Sequence, residues 1–149
     1  MQIYHLLERI KEVDWLGGWS NHLGSFDQII GYSILGAIFL RSSTTQNYLV
    51  LYPLRSGNNA KNYGSFASTN DFENKILLEK SFAKSCLHPI LPKQISILQK
   101  RLGALGNEEI YYPVPHPWIG GSWDLNSFDK GNVWINADIA GQNRGFHNI

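Results

Sequence analysis

The sequence predicts a single α+β domain spanning residues 1–149, with a small, mainly antiparallel sheet packed against two to four helices. Three observations carry this. Two apolar runs, Gly31–Leu40 and Tyr48–Pro53, are separated by the short polar stretch Ser42–Gln46, as the arms of a β-hairpin would be. A helix is written with both of its ends over Pro92–Leu102. A chain of 149 residues has the length of one domain and buries roughly 68–70% of its unfolded surface.

The elements follow in order. Ile3, Leu6, Leu7, Ile10 and Val13 recur at i, i+3, i+4 and i+7, so the first dozen residues are expected as an amphipathic helix ended by Gly17-Gly18. A loop through Asn21–Ser25 leads into the hairpin. Tyr48–Tyr52 is apolar without alternation, the mark of a strand covered on both faces. Gly57-Asn58-Asn59 is a turn cluster, and Tyr63–Ala67 is expected as a third strand.

A helix is expected from Asn70, with Glu73 three residues on in the manner of a capping box and Phe72, Ile76 and Phe82 inward. His88-Pro89 ends it, because proline disfavours helical geometry in the residue before it. Pro92 suits the first turn of the next helix, and Ile95, Leu98 and Leu102 form its buried stripe. Gly103 is placed to take the positive φ that terminates it, with Leu105 folding back on the last turn.

Glu109–Tyr112 reads as a strand, and Pro113, Pro115 and Pro117 force an extended path after it. Gly120-Gly121 makes a turn. In Val133–Ile139 the alternation of Val133, Ile135, Ala137 and Ile139 with Trp134, Asn136 and Asp138 favours a strand, and the same residues also fit a helical pattern. The tail Gly141–Ile149 is expected to be loose.

Composition excludes several classes. No run reaches the roughly 20 apolar residues of a membrane helix. Glu8, Arg9, Lys11 and Glu12 stand where a signal peptide would have its apolar core. Cys86 has no second cysteine to pair with. A reducing cytoplasm is the expected compartment. Residues 41–101 hold nine Lys/Arg against three acids, whereas residues 105–149 hold five acids against two bases. Solvated helix faces account for the basic half, and the overall net charge of +1 does not announce direct nucleic-acid binding.

Signs of catalysis are sparse. The five histidines lack metal-ligand spacing, and no phosphate loop, dinucleotide fingerprint or nucleophile elbow occurs. No cofactor or metal is expected, and the chain reads as a non-enzyme. Cys86 is read as a small buried hydrophobe rather than a nucleophile. Asp124 and Asp129 flank the Asn126-Ser127-Phe128 turn, where aspartates usually accept from backbone donors rather than act as an acid/base pair.

The stretch Trp118–Trp134 concentrates three tryptophans beside Asp124, Asp129 and Lys130. Such rings serve as core, as protein-binding anchors or as sugar platforms. The expected partner-binding residues are Trp118, Trp123, Asp124, Asp129, Trp134 and Asp138, because acids attract a basic surface while rings anchor it.

Several segments together resemble a known family. They are Gly31-Tyr32 with Gly36 and Phe39-Leu40, Leu49–Tyr52, Arg101-Leu102-Gly103-Ala104-Leu105-Gly106, Tyr111-Tyr112-Pro113-Val114-Pro115, Ile119-Gly120-Gly121, and Lys130-Gly131-Asn132-Val133-Trp134 through Gly141-Gln142. Over residues 31–142 the chain is similar to the C-terminal domain of type VI secretion DNase immunity proteins, the Tdi type often found with a GAD-like domain. The resemblance implies a cytoplasmic antitoxin that binds the nuclease domain of its cognate toxin non-covalently and keeps it from DNA.

About thirty residues precede the match, so the companion N-terminal domain of larger members is not expected. Without the strong acidity of a DNA mimic, occlusion would rest on shape and a local acidic patch. The alternatives are a carbohydrate- or ligand-binding module using Trp118 and Trp123, and a neighbouring immunity family, the SMI1/KNR4-like domains.

Overall fold

The computed structural model describes residues 2–57 and 60–143. Five strands form an antiparallel sheet in chain order: β1 (Tyr4–Glu12), β2 (Gln28–Ser33), β3 (Ile38–Arg41), β4 (Asn47–Leu51) and β5 (Ala60–Ser65). A second, two-stranded ribbon pairs β6 (Glu109–Pro113) with β7 (Phe128–Asn132). The helices are α1 (Thr69–Phe72), which runs on into a π-helical turn at Glu73–Leu77, α2 (Lys80–Leu87), α3 (Pro92–Leu102) and α4 (Val133–Asn143). The α+β class is therefore as expected. Among the described residues no helix is long and apolar enough to cross a membrane.

The central strands are apolar on both faces because both are covered. In β4, Leu49 and Leu51 join the cluster that contains Leu16, Trp19 and Ala137, while Tyr48 and Val50 join the one built on Phe72, Leu77 and Phe82. One face of the sheet thus carries α4 and a kinked 3-10 segment, Val13–His22, and the other carries α1 and α2. A third cluster joins Ile95 and Leu98 of α3 to Tyr111 and Phe128 of the ribbon.

The β3–β4 hairpin has the expected connection, closed by Ser42 N–H donating to Asn47 C=O at 2.9 Å. The first expected arm, however, holds a hairpin of its own. Ser33 N–H donates to Ala37 C=O, and Gly36 takes φ 93° between β2 and β3. The burial of both flanking strands masked this turn in an unbroken apolar run.

The N-terminal segment is a strand, not a helix. β1 pairs with β2 from Tyr4↔Ser33 to Leu6↔Gly31, then slips to resume at Lys11↔Ile29. This bulge spaces the apolar residues irregularly, and the spacing imitates a helical period. Gly31 permits the close pairing, since a Cβ there would lie 2.6 Å from the His5 carbonyl oxygen.

Two further expectations are corrected. The cap of α1 is Ser68, whose hydroxyl accepts from Asp71 N–H at 3.0 Å, while Glu73 instead accepts from the Tyr4 hydroxyl at 2.7 Å. Val133–Ile139 is helical, as part of α4. Asn132 Oδ1 starts that helix by accepting from Trp134 N–H at 2.9 Å and Ile135 N–H at 3.0 Å, the role an N-cap side chain plays. Of the expected loose tail, Gly141–Asn143 continues α4 and residues 144–149 lie outside the described residues, as do Asn58 and Asn59 of the turn cluster.

The helix at Pro92–Leu102 has its expected bounds. Gly103 adopts φ 87° and its N–H donates to Gln99 C=O at 2.8 Å.

Candidate functional site

The six residues expected to bind a partner fall into two neighbourhoods. Trp134 is core: it is 4% exposed and meets Tyr32 edge-on, so its ring offers no surface to a partner. Asp138 is turned inward along α4, where Oδ1 accepts from Gly18 N–H at 2.9 Å and both carboxylate oxygens accept from Gln142. Trp118 is half-buried against the same cluster. Trp123 packs instead against the α3 cluster, 6.2 Å from the Phe128 ring. Asp124 caps the Leu125–Ser127 turn by accepting from Asn126 N–H at 3.0 Å, the backbone role expected of it. Exposed Asp129 accepts from Lys130 N–H at 2.8 Å.

The strongest polar centre in this region is one that residue spacing did not single out. His116 is only 8% exposed, and both of its ring nitrogens are engaged. Trp118 Nε1–H donates to Nδ1 at 3.0 Å, and Nε2 meets Asn136 Oδ1 at 2.9 Å. Asn136 Nδ2 in turn donates to Asn132 C=O at 2.9 Å. These bonds fasten the 113–121 loop to the first turn of α4. Burial holds the imidazole below the usual histidine range, partly offset by the bond to Asn136.

What the fastened pair presents outward is apolar. Ile119 is 55% exposed on the loop, and Ile135 and Ile139, one helical turn apart, are 61% and 45% exposed on α4. With Trp134, Ala137 and Ala140 inward, Ile135 and Ile139 give α4 apolar side chains on its exposed side as well. No Lys or Arg occurs between Arg101 and Lys130 or within α4. Lys130 itself is turned to the Ala104 carbonyl at 3.2 Å.

No family model matches the sequence, and no curated protein does. The structure is similar to the crystal structure of Atu4351 from Agrobacterium tumefaciens, with a TM-score of 0.66 at 20% identity. The similarity covers 97% of this chain and 68% of that one. At that identity the likeness shows a shared fold.

Arg101 pins the neighbouring turn. Its guanidinium donates to the carbonyls of Leu125 (3.3 Å), Asn126 (3.0 Å) and Phe128 (2.7 Å). Arg101→Ala is expected to cost about 1–2 kcal/mol, and Arg101→Lys to recover little, because a lysine cannot reach several carbonyls in one plane. Equal thermal unfolding of the wild type and both variants would show that these bonds add nothing over water.

The groups weighed for catalysis lie apart. Cys86 lies on the buried side of α2, and burial pushes its thiol up to about 11, far from a reactive thiolate. Asp124 and Asp129 are exposed, and each accepts a backbone N–H. A groove of about 670 Å³ runs between β1 and the Leu105–Glu108 loop, crossed by a Lys11–Glu108 ion pair at 3.4 Å. Among the described residues no group of three or more His, Cys, Asp or Glu is placed to hold a metal ion.

Proposed function

We propose that this protein neutralises a type VI secretion toxin, a nuclease, by binding it in the cytoplasm of the producing cell and blocking its path to DNA. The motif resemblance over residues 31–142 supports the reading. The structural observation that carries it is the exposure of Ile119 on the 113–121 loop and of Ile135 and Ile139 on α4, two segments that hold no Lys or Arg. An exposed apolar pair one helical turn apart, such as Ile135 and Ile139, marks an interaction site, and segments lacking cations suit the basic cleft of a nuclease. The contact is thus assigned to isoleucines on α4 and the 113–121 loop rather than to the tryptophan rings.

Co-expression with the toxin encoded beside this gene tests the reading: growth should be restored and a complex should elute. Continued killing together with separate elution would end it. Ile135→Asp combined with Ile139→Asp is expected to weaken the complex by about 30-fold or more, as loss of an apolar anchor worth about 2 kcal/mol would. The two side chains face solvent, so the free variant should unfold at the wild-type temperature. Undiminished affinity would move the contact to another face.

A further inference from the structure

The hydrogen bonds around His116 have only one consistent polarity. An indole N–H can only donate, so the Nδ1 that receives Trp118 carries no proton. The ring proton is therefore on Nε2 and donates to Asn136 Oδ1. Asn136 spends an amide hydrogen on the Asn132 carbonyl, which fixes which of its ends faces the ring. The chain Trp118 → His116 → Asn136 → Asn132 thus exists only with a neutral imidazole. A second proton, on Nδ1, would set two N–H groups against each other at 3.0 Å.

Among the described residues no carboxylate bonds the His116 ring, whose hydrogen-bond partners are Trp118 and Asn136. From β6 the Tyr112 ring stands edge-on at 5.8 Å, and its hydroxyl reaches Asn136. From β7, Asp129 is the cross-strand partner of Tyr112 and accepts from Lys130 N–H. From α4 comes the amide of Asn136, and that first turn is the positive end of the helix dipole. These elements carry four charged side chains, each engaged elsewhere: Glu109 accepts from Gly106 N–H, Asp129 from Lys130 N–H, Asp138 from Gly18 N–H and Gln142, and the Lys130 ammonium donates to the Ala104 carbonyl.

We propose that His116 is an acid-sensitive pin: neutral, it joins the 113–121 loop, which bears exposed Ile119, to α4, which bears exposed Ile135; protonated, it releases the joint and frees the loop from the helix. The pin bears on toxin binding only if the function proposed above is correct, but it exists in the free protein and is tested there. A buried histidine binds its proton less tightly in the closed joint than in the open one. The joint is therefore at full strength above the ordinary histidine value of about 6.5, and weakens as pH falls through it towards the lower value of the closed form.

Hydrogen exchange and ring-nitrogen NMR read this directly. From pH 7.5 to 5.0, amides of the 113–121 loop and α4 are expected to lose up to about 30-fold in protection, after correction for intrinsic rates. Amides of β3 and β4 should hold theirs. His116→Gln offers the same acceptor to Trp118 and the same donor to Asn136 without titrating, so its loop and α4 should keep their protection. In the wild-type spectrum at pH 7.5, Nε2 should carry the proton.

A proton on Nδ1, a His116 titration at or above the ordinary value, or equal responses of wild type and variant would each overturn the proposal. Should His116→Gln fail to fold, the titration of the wild-type ring nitrogens decides alone. Failure of the pin leaves toxin binding at neutral pH standing, and failure to bind a toxin leaves the titration result standing.

Discussion

Trp19→Ala is expected to destabilise the protein by about 3–5 kcal/mol, the cost of emptying a buried tryptophan site that collapses only partly. The Val13–His22 segment crosses the sheet as a kinked 3-10 run with Gly17 at φ 53°, and so lacks the regular ladder that secures a strand. Its hold on the core comes from Leu16 and Trp19, of which Trp19 is 1% exposed. The indole Nε1–H also donates to the Ala137 carbonyl of α4 at 2.9 Å. Against a total stability of about 5–15 kcal/mol, such a loss is about a fifth of the whole or more. Trp19→Phe keeps most of the apolar volume and gives up the bond, and should cost less than half as much. Urea unfolding followed by far-UV circular dichroism separates the two variants. A change below about 1 kcal/mol for Trp19→Ala would mean that the segment lies outside the cooperative core.

The elements legible in the sequence are those whose deciding residues are local. Pro92 and Gly103 bracket α3 within one short window, so its bounds are written on the spot. The connection between β3 and β4 is likewise decided by Ser42–Gln46. β1 and α4 are different. The stripe of Ile3, Leu6, Leu7 and Ile10 suits a helix until the partner strand supplies Gly31, which admits the His5 backbone. The alternation in Val133–Ile139 suits a strand until Gly18 and Gly141, more than a hundred residues apart in the chain, let two backbones meet.

The same division runs through the candidate site. Asp124 and Asp129 were legible as turn aspartates because the turn lies beside them. His116 was one of five scattered histidines, since its partner Asn136 is twenty residues away and no spacing rule relates a histidine to an asparagine. Reading α4 as a strand also hid Ile135 and Ile139 on what would have been a buried face. The exposed apolar pair became visible only once the helix placed Trp134 and Ala137 inward.

Gly141→Val tests that packing most severely, because helix propensity and packing pull in opposite directions. In a helix interior, valine is favoured over glycine by a few tenths of a kcal/mol, so a loosely packed α4 would be indifferent to the change or gain from it. Here a Cβ at Gly141 would lie 2.6 Å from Trp19 Cδ1 and 2.8 Å from the Trp19 backbone nitrogen. Across the contact, a Cβ at Gly18 would run into the Gly141 carbonyl carbon. The obstacles are largely backbone, which cannot turn aside as a flexible side chain can. A branched side chain must therefore lift α4 off the Val13–His22 segment and strain both bonds that join them, Trp19 to Ala137 and Gly18 to Asp138. The expected cost is about 3 kcal/mol or more, at the upper end of overpacking effects. Gly141→Ala should fall in the same direction by less. Thermal unfolding at or above the wild-type temperature for the valine variant would mean that the two elements do not meet as closely as drawn, and that the presentation of Ile135 and Ile139 rests on something other than this contact.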